Sequence, residues 1–318
     1  MYMTEITIIE NNSEIAAGTR GSSLAIDAIK IASINARDNI FSKYKRVKID
    51  NENERIWGDI NSVHAIRIDG VLKMYDRIVK KVSPVLENRS FPLIISGDHS
   101  NAGGSIAAMK KTFPDKRLGV VWIDAHADLH SPYTTPSGNM HGMPLATALA
   151  EDNVEMVLNE PDAETVSKWD QLKNIGDIKP KISSNDLVFV GVRDAEAAEQ
   201  GIIDRYSIPN FTTADLVKKG VDYIAVKILD HLKECDVLYI SFDVDSMDME
   251  ISKGTGTPVK DGLSKHQAIE LIKKLVADSK VKMFEVVEVN PLLDKKGNLM
   301  AEMALESIQE VIKIVEER

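Results

Sequence analysis

The chain has 318 residues, 43% of them hydrophobic and 28% charged, with a formal net charge of −10. This composition suits a globular protein able to bury a core. The acid excess argues against a broad nucleic-acid surface, which needs clustered Lys and Arg, and mildly favours the approach of a small cation.

Residues Met1 to Asn12 lack the basic start and apolar stretch of a signal peptide. No apolar run reaches the roughly 18 residues of a membrane span, so the cytoplasm is the expected home. Glu5–Ile9 and Lys45–Ile49 read as the first two strands. Ser62–Leu86 carries apolar residues at helical spacing, from Ile66, Ile68, Val71 and Leu72 to Ile78, Val79 and Val82. A strand at Phe91–Ile95, a helix at Ala102–Phe113 and a strand at Leu118–Ile123 follow. The last is a continuous apolar run, the pattern of a strand buried on both faces. Met143–Ala150 reads as a helix, and Glu160–Ser184 as an irregular surface insertion with a little helix. Strands then fall at Asp186–Val192, near Ser207–Phe211, at Asp236–Phe242 and at Lys282–Val289. Helices fall at Thr213–Lys219, Asp222–Glu234, Ser264–Ala277 and Met300–Glu317. Ser264 is a good N-cap. The sole cysteine, Cys235, precludes an intrachain disulfide and reads as a structural thiol at the entry to a buried strand. Eight strands alternating with helices predict an α/β fold with one mainly parallel sheet, and no linker divides residues 1–318.

Ligands of such sheets bind beyond the carboxyl ends of the strands. The chain places Gly97-Asp98-His99-Ser100 after one strand and Asp124-Ala125-His126-Ala127-Asp128 after another. A third runs into Asp243-Val244-Asp245, and a fourth carries Glu288 near its end. In extended backbone, alternate side chains share a face, so Asp124, His126 and Asp128 are expected to converge, as are Asp243 and Asp245. With His99 they make six candidate ligands. Four carboxylates packed together repel unless cations balance them. Oxygen-rich ligands with some imidazole suit manganese, whereas thiolates would suggest zinc. Two ions about 3.5–4 Å apart can acidify a shared water and deliver hydroxide at neutral pH.

On these motifs, together with Glu288-Val289-Asn290-Pro291, the chain resembles the arginase–agmatinase family, the ureohydrolases. The likeness runs in order from about Phe91 to the C-terminus; before that only Gly18-Thr19-Arg20-Gly21 agrees, and loosely. The resemblance implies a three-layer α/β/α sandwich around an eight-stranded, mainly parallel sheet. It implies two Mn2+ per chain. His99, Asp124, Asp128 and Asp243 would hold one, and Asp124, His126, Asp243 and Asp245 the other. Asp128 would also orient the hydroxide. It further implies a homo-oligomer, trimer or hexamer.

The segment Ser137-Gly138-Asn139-Met140-His141-Gly142 looks like the arginase branch of that family. By this likeness Ser137 and Asn139 bond a substrate α-carboxylate, and His141 shuttles protons to the leaving amine. Glu288 pairs with the guanidinium, Thr257 lines the pocket, and Asp194 contacts the α-amino group. The expected partner is thus a small guanidino substrate, L-arginine first; agmatine, a guanidino acid, formiminoglutamate and a non-catalytic binding role are the alternatives. Three departures bear on that choice. His130 stands where arginases usually carry Asn, Glu196 where they carry a second Asp, and Ser246-Met247-Asp248-Met249 replaces Gly-x-Asp-Pro. His64, His231 and His266 fall on predicted helices, and Trp57, Trp122 and Trp169 form no platform.

Overall fold

The apolar runs form strands that all pair in parallel within one sheet, in the order β2-β1-β3-β8-β7-β4-β5-β6. This computed structural model describes residues 4–294 and 298–318; residues 1–3 of the N-terminal segment discussed above lie outside that range. The strands are β1 (Ile6–Asn11), β2 (Lys45–Lys48), β3 (Phe91–Ser96), β4 (Leu118–Ile123), β5 (Leu187–Val190), β6 (Asn210–Phe211), β7 (Val237–Asp243) and β8 (Val281–Val287). The helices are α1 (Ala25–Asn35), α2 (Ile40–Lys43), α3 (Ile68–Glu87), α4 (Asn101–Thr112), α5 (Pro144–Leu149), α6 (Ala163–Lys173), α7 (Ala197–Tyr206), α8 (Thr213–Lys219), α9 (Val221–His231), α10 (Lys265–Val276) and α11 (Leu299–Glu316).

Successive residues of a strand point to opposite faces, and here each face meets its own helical layer. Val121, Ile123, Ile240 and Phe242 pack with Ile29 of α1, Ile228 of α9, Leu271 of α10 and Ile308 of α11. Val120, Trp122 and Tyr239 pack with Ile78 of α3, Ile106 of α4, Leu145 of α5 and Leu172 of α6. The result is a three-layer α/β/α sandwich, as expected. The edge strand β2 is mostly exposed and reads Lys-Arg-Val-Lys, a charge pattern that discourages further pairing. Among the described residues, no helix is long and apolar enough to cross a membrane.

The structure departs from the sequence reading in several places. The helix expected from Ser62 starts only at Ile68. Arg67 takes a left-handed conformation, φ 60°, and its guanidinium donates to the carbonyls of Arg55 and Ile56. His64 therefore lies in a turn rather than on a helix. Glu160–Ser184 is not merely surface: it contains α6, whose Trp169 and Leu172 are fully buried. The Trp169 indole N–H reaches Asp152 at 2.6 Å. Helices α1 and α7 appear where none was expected. Cys235 is buried and donates toward Asp186; burial pushes its thiol up to about 12, consistent with a structural role.

Candidate active site

Four adjacent central strands, β3, β8, β7 and β4, deliver the polar residues to their carboxyl ends. After β3 the chain passes Gly97, where an added Cβ would fall 2.3 Å from the Ser13 carbonyl oxygen, so glycine is required. Asp98 turns away from the pocket. It accepts the Ala16 and Ser100 amides at 2.9 and 3.0 Å, and burial raises its carboxyl to about 6. Its neighbour His99 points into the site.

The acids do not converge by strand alternation. β4 ends at Ile123, and Asp124 to His126 form a bend. Asp128 adopts φ 52° and Glu288 φ 64°. Left-handed backbone is uncommon for residues with a Cβ and collects at functional sites. Glu288 lies just past the end of β8, not within it. Asp243 closes β7, and Asp245 sits on a short 3₁₀ turn, Val244–Ser246, whose Asp245 amide donates to the Asp243 carboxylate at 2.8 Å.

The resulting geometry is compact. His99 Nδ1 lies 3.0 Å from Asp124 Oδ2, 3.1 Å from Asp128 Oδ2 and 3.2 Å from Asp243 Oδ2. His126 Nδ1 lies 3.1 Å from Asp245 Oδ2 and 3.5 Å from Asp124 Oδ1. Although so close to one another, His99 Nδ1 and Asp124 Oδ2 are buried and make no aligned hydrogen bond. Ligand atoms each about 2.1 Å from one ion and at right angles to it are separated by about 3 Å. These spacings are therefore those of the edges of a coordination shell. His99, Asp124 and Asp128 form one group that could hold an ion, and Asp124, His126 and Asp245 another. Asp124 is common to both.

The surrounding bonds orient these donors. His99 Nε2 lies 2.8 Å from Ser241 Oγ, which leaves Nδ1 free to ligate. The His99 ring stacks on Trp122, centroids 4.0 Å apart and planes 2° from parallel, a supporting role for this tryptophan that the sequence did not reveal. Thr257 donates to Asp245 Oδ2 at 3.0 Å.

The charges of the bare side chains are unbalanced. Burial and then the Asp124 charge push Asp128 up to about 7. Burial and the Asp245 charge raise Asp243 well above the carboxylate range, and burial and Asp124 raise Asp245. Burial opposes the Asp124 charge too, but the imidazoles of His126 and His99 close beside it hold that carboxyl well below its ordinary value. Such a cluster calls for positive charge, and divalent cations fit it.

Every expected site residue except Asp124 lines one pocket; Asp124 lies buried beneath it. His141, on the turn Met140–Gly142, has Nδ1 3.4 Å from Glu288 Oε1. Burial opposes its protonation, but the hydrogen bond and charge of Glu288 raise it above the ordinary imidazole value. Ser137 is exposed at the mouth, its Oγ accepting the Asn139 amide at 3.2 Å. Asp194 Oδ2 lies 3.8 Å from His126 Nε2. His130 is nearly buried, with Nδ1 3.2 Å from Thr134 Oγ1. Its Nε2 lies 3.6 Å from both Glu196 Oε2 and Glu199 Oε2. Burial lowers its pKa against the opposing charge of Glu196.

Glu199 was missed by the sequence reading. It accepts the Leu129 and Glu196 amides at 3.0 Å each, and burial raises it to about 7. Glutamate three residues after an N-cap is a helix-start signal, but it shows only once α7 is recognised. Arg193 was missed as well. Its guanidinium donates to the carbonyls of Gly191, Asp245, Ser246, Met247, Val259 and Lys260 at 2.7–3.2 Å.

An all-parallel α/β sandwich with paired carboxylate–imidazole donor sets at the strand ends defines a class of metal-site hydrolases, and the comparisons narrow it. A sequence model of the arginase family matches residues 5–313. The chain is 30% identical over 309 residues to the arginase of Bacillus subtilis (strain 168), covering 96% of this chain and 97% of that one. It is 34% identical over 316 residues to the arginase of Staphylococcus aureus (strain COL), covering 94% of each. The crystal structure of arginase from Bacillus cereus superposes with a TM-score of 0.82 at 27% identity, over 97% of this chain and 98% of that one. The chain belongs to the arginase family.

Proposed function

We propose that the protein is a manganese-dependent arginase, hydrolysing the guanidinium group of L-arginine to L-ornithine and urea. The observation that carries this reading is one pocket with two donor sets at its base, Glu288 and His141 beside them, and hydroxyl, amide and acid groups around its mouth. His99, Asp124, Asp128 and Asp243 would hold one manganese, and Asp124, His126, Asp243 and Asp245 the other. Such a pair supplies water of lowered pKa at neutral pH. The Glu288 carboxylate accepts N–H bonds from the guanidinium and fixes its carbon over the base of the pocket. Asp128 orients the attacking water. His141, whose protonated form Glu288 favours, passes a proton to the departing amine. Ser137 and Asn139 bond the α-carboxylate. Asp194, Glu196 and Glu199 face the α-ammonium, and this acid-rich mouth draws a cationic substrate inward. We place the protein in the cytoplasm as a homo-oligomer, trimer or hexamer, of one domain per chain.

The test is urea release from L-arginine, agmatine, homoarginine and guanidino acids, and amide release from formiminoglutamate, with manganese and after chelation. L-Arginine is expected to have the highest kcat/KM. Faster hydrolysis of agmatine would reject the amino-acid site, and near-normal turnover after complete chelation would reject the ion pair.

His130 gives a narrower prediction. Bonded to Thr134 and facing two acids, it occupies room at the substrate's amino-acid end. His130→Asn should lower KM for L-arginine severalfold and change kcat less, the pattern of altered binding common to ground and transition states. An unchanged ratio of arginine to agmatine hydrolysis would remove His130 from substrate selection.

A further inference from the structure

The buried interior of β8 is apolar except for Glu285, which is 0% exposed. Burying a carboxyl is costly unless its oxygens are bonded and its charge offset. Both of its hydrogen bonds come from neutral hydroxyls: Ser96 donates to Oε1 at 2.5 Å and Tyr239 to Oε2 at 2.7 Å. Ser96 Oγ in turn accepts from Asn11 Nδ2 at 3.4 Å.

The position of this acid is informative. In the sheet register Glu285 stands beside Ser241, and Val287 beside Asp243. Glu285 thus lies one step below the base of the pocket. Tyr239 and Ser241, two residues apart on β7, share a face of that strand, and Ser241 stands beside Glu285. Ser241 Oγ lies against His99 Nε2. A buried line of polar groups therefore runs from Glu285 through Tyr239 and Ser241 to His99.

The ends of this line set the direction of its protons. A carboxylate only accepts, so Tyr239 spends its single O–H on Glu285. The phenol oxygen can then only accept, and the inferred line has the Ser241 hydroxyl, on the same face of β7, donate to it. Ser241 Oγ is left as an acceptor for His99 Nε2–H, and the Nδ1 lone pair is free. Outer partners of this kind fix the tautomer of a ligating imidazole and raise its basicity.

We infer that Glu285 is a positioning residue, which sets the metal-ligating tautomer of His99 through Tyr239 and Ser241. This rests on the proposed ion pair. An amide at position 285 both donates and accepts, so Glu285→Gln removes the polarity of the line while preserving its shape. Tyr239→Phe cuts the line in the middle and keeps the ring.

The experiment is calorimetric titration of the chelated parent and both variants with manganese, alongside the melting temperature of each chelated protein. Both variants should bind manganese about tenfold more weakly; the metal-free melting temperature should be unchanged in Glu285→Gln and lower in Tyr239→Phe, which strips one bond from the buried carboxyl. Parent-like affinity in both would overturn the inference alone. So would a loss of affinity matched in both by a fall in metal-free melting temperature, since that marks a merely structural role. Should Glu285→Gln fail to fold, Tyr239→Phe decides by its manganese affinity, parent-like binding overturning the inference. A parent that takes up no manganese would instead sink the proposed activity, and this inference with it.

Discussion

Asp243→Asn should abolish most turnover yet leave the metal-free protein as stable as the parent, or more so. Asp243 Oδ2 lies 3.2 Å from His99 Nδ1 and is buried among Asp124, Asp128 and Asp245. Its amide replacement retains an oxygen that can accept the Asp245 amide and removes only the charge. In the chelated protein that relieves like-charge repulsion, worth about 1 kcal/mol or more at a buried position. In the loaded protein the same change removes an anionic donor. A loss on the order of a thousandfold in kcat corresponds to about 4 kcal/mol of barrier. Stability gives an independent reading. Manganese at about a hundred times its Kd should stabilise the parent by about 2.7 kcal/mol and the variant by much less. Equal manganese-induced shifts in melting temperature for the two proteins would show that Asp243 does not hold the ion.

The second large effect is expected at Arg193, through the fold. Six carbonyls converge on this one guanidinium. Three of them, on Asp245, Ser246 and Met247, belong to the turn that aims Asp245 at His126. The Arg193 and Asp194 amides also donate to the Ala125 carbonyl at 2.9 and 3.0 Å. The loops after β4, β5 and β7 are therefore stitched together here. Each lost bond to a charged donor is worth about 1.5–3 kcal/mol, but this half-buried site readmits water, so Arg193→Ala should cost about 3 kcal/mol in all. Arg193→Lys should recover only part of it, because three donors on one atom cannot serve carbonyls spread around a planar fork. Denaturant unfolding of the chelated proteins measures the loss without the metal. A midpoint equal to the parent's in Arg193→Ala would reject the clamp.

These two residues differ in how plainly the sequence displays them. Asp243 belongs to an Asp-x-Asp directly after an apolar run, and the run itself identifies a doubly buried strand. The same logic located the central strands and the ends that carry His99, Asp124 and Glu288; exposed β2 and the two-residue β6 have no such run. Arg193 has no such signature, because its partners are backbone carbonyls that only the folded loops bring together. Glu285 did leave a trace, a lone acid inside an apolar strand, but its bonding to Ser96 and Tyr239 depends on sheet register. Helix α1 was hidden by its surface: Ile31 and Ile34 are exposed while Ile26 and Ile29 are buried, which blurs the helical stripe. The convergence of Asp124, His126 and Asp128 was anticipated for the wrong reason. A left-handed Asp128 and a bend achieve it, and alternating extended backbone does not.

The strand order has a consequence for how the molecule is made. β8, last in the chain, is inserted between β3 and β7, with Leu93 opposite Phe284. Until the ribosome has released that final strand, β3 and β7 are both open edges, and the nascent chain holds two unjoined half-sheets. His99 belongs to one half, and Asp124, His126, Asp243 and Asp245 to the other, so the donor set that includes His99 cannot assemble before β8 joins them. Pairing across so long a stretch of sequence is intrinsically slow. Any message truncated before β8 leaves a product with two adhesive edges, and with His99 unjoined to the acids that β4 and β7 carry.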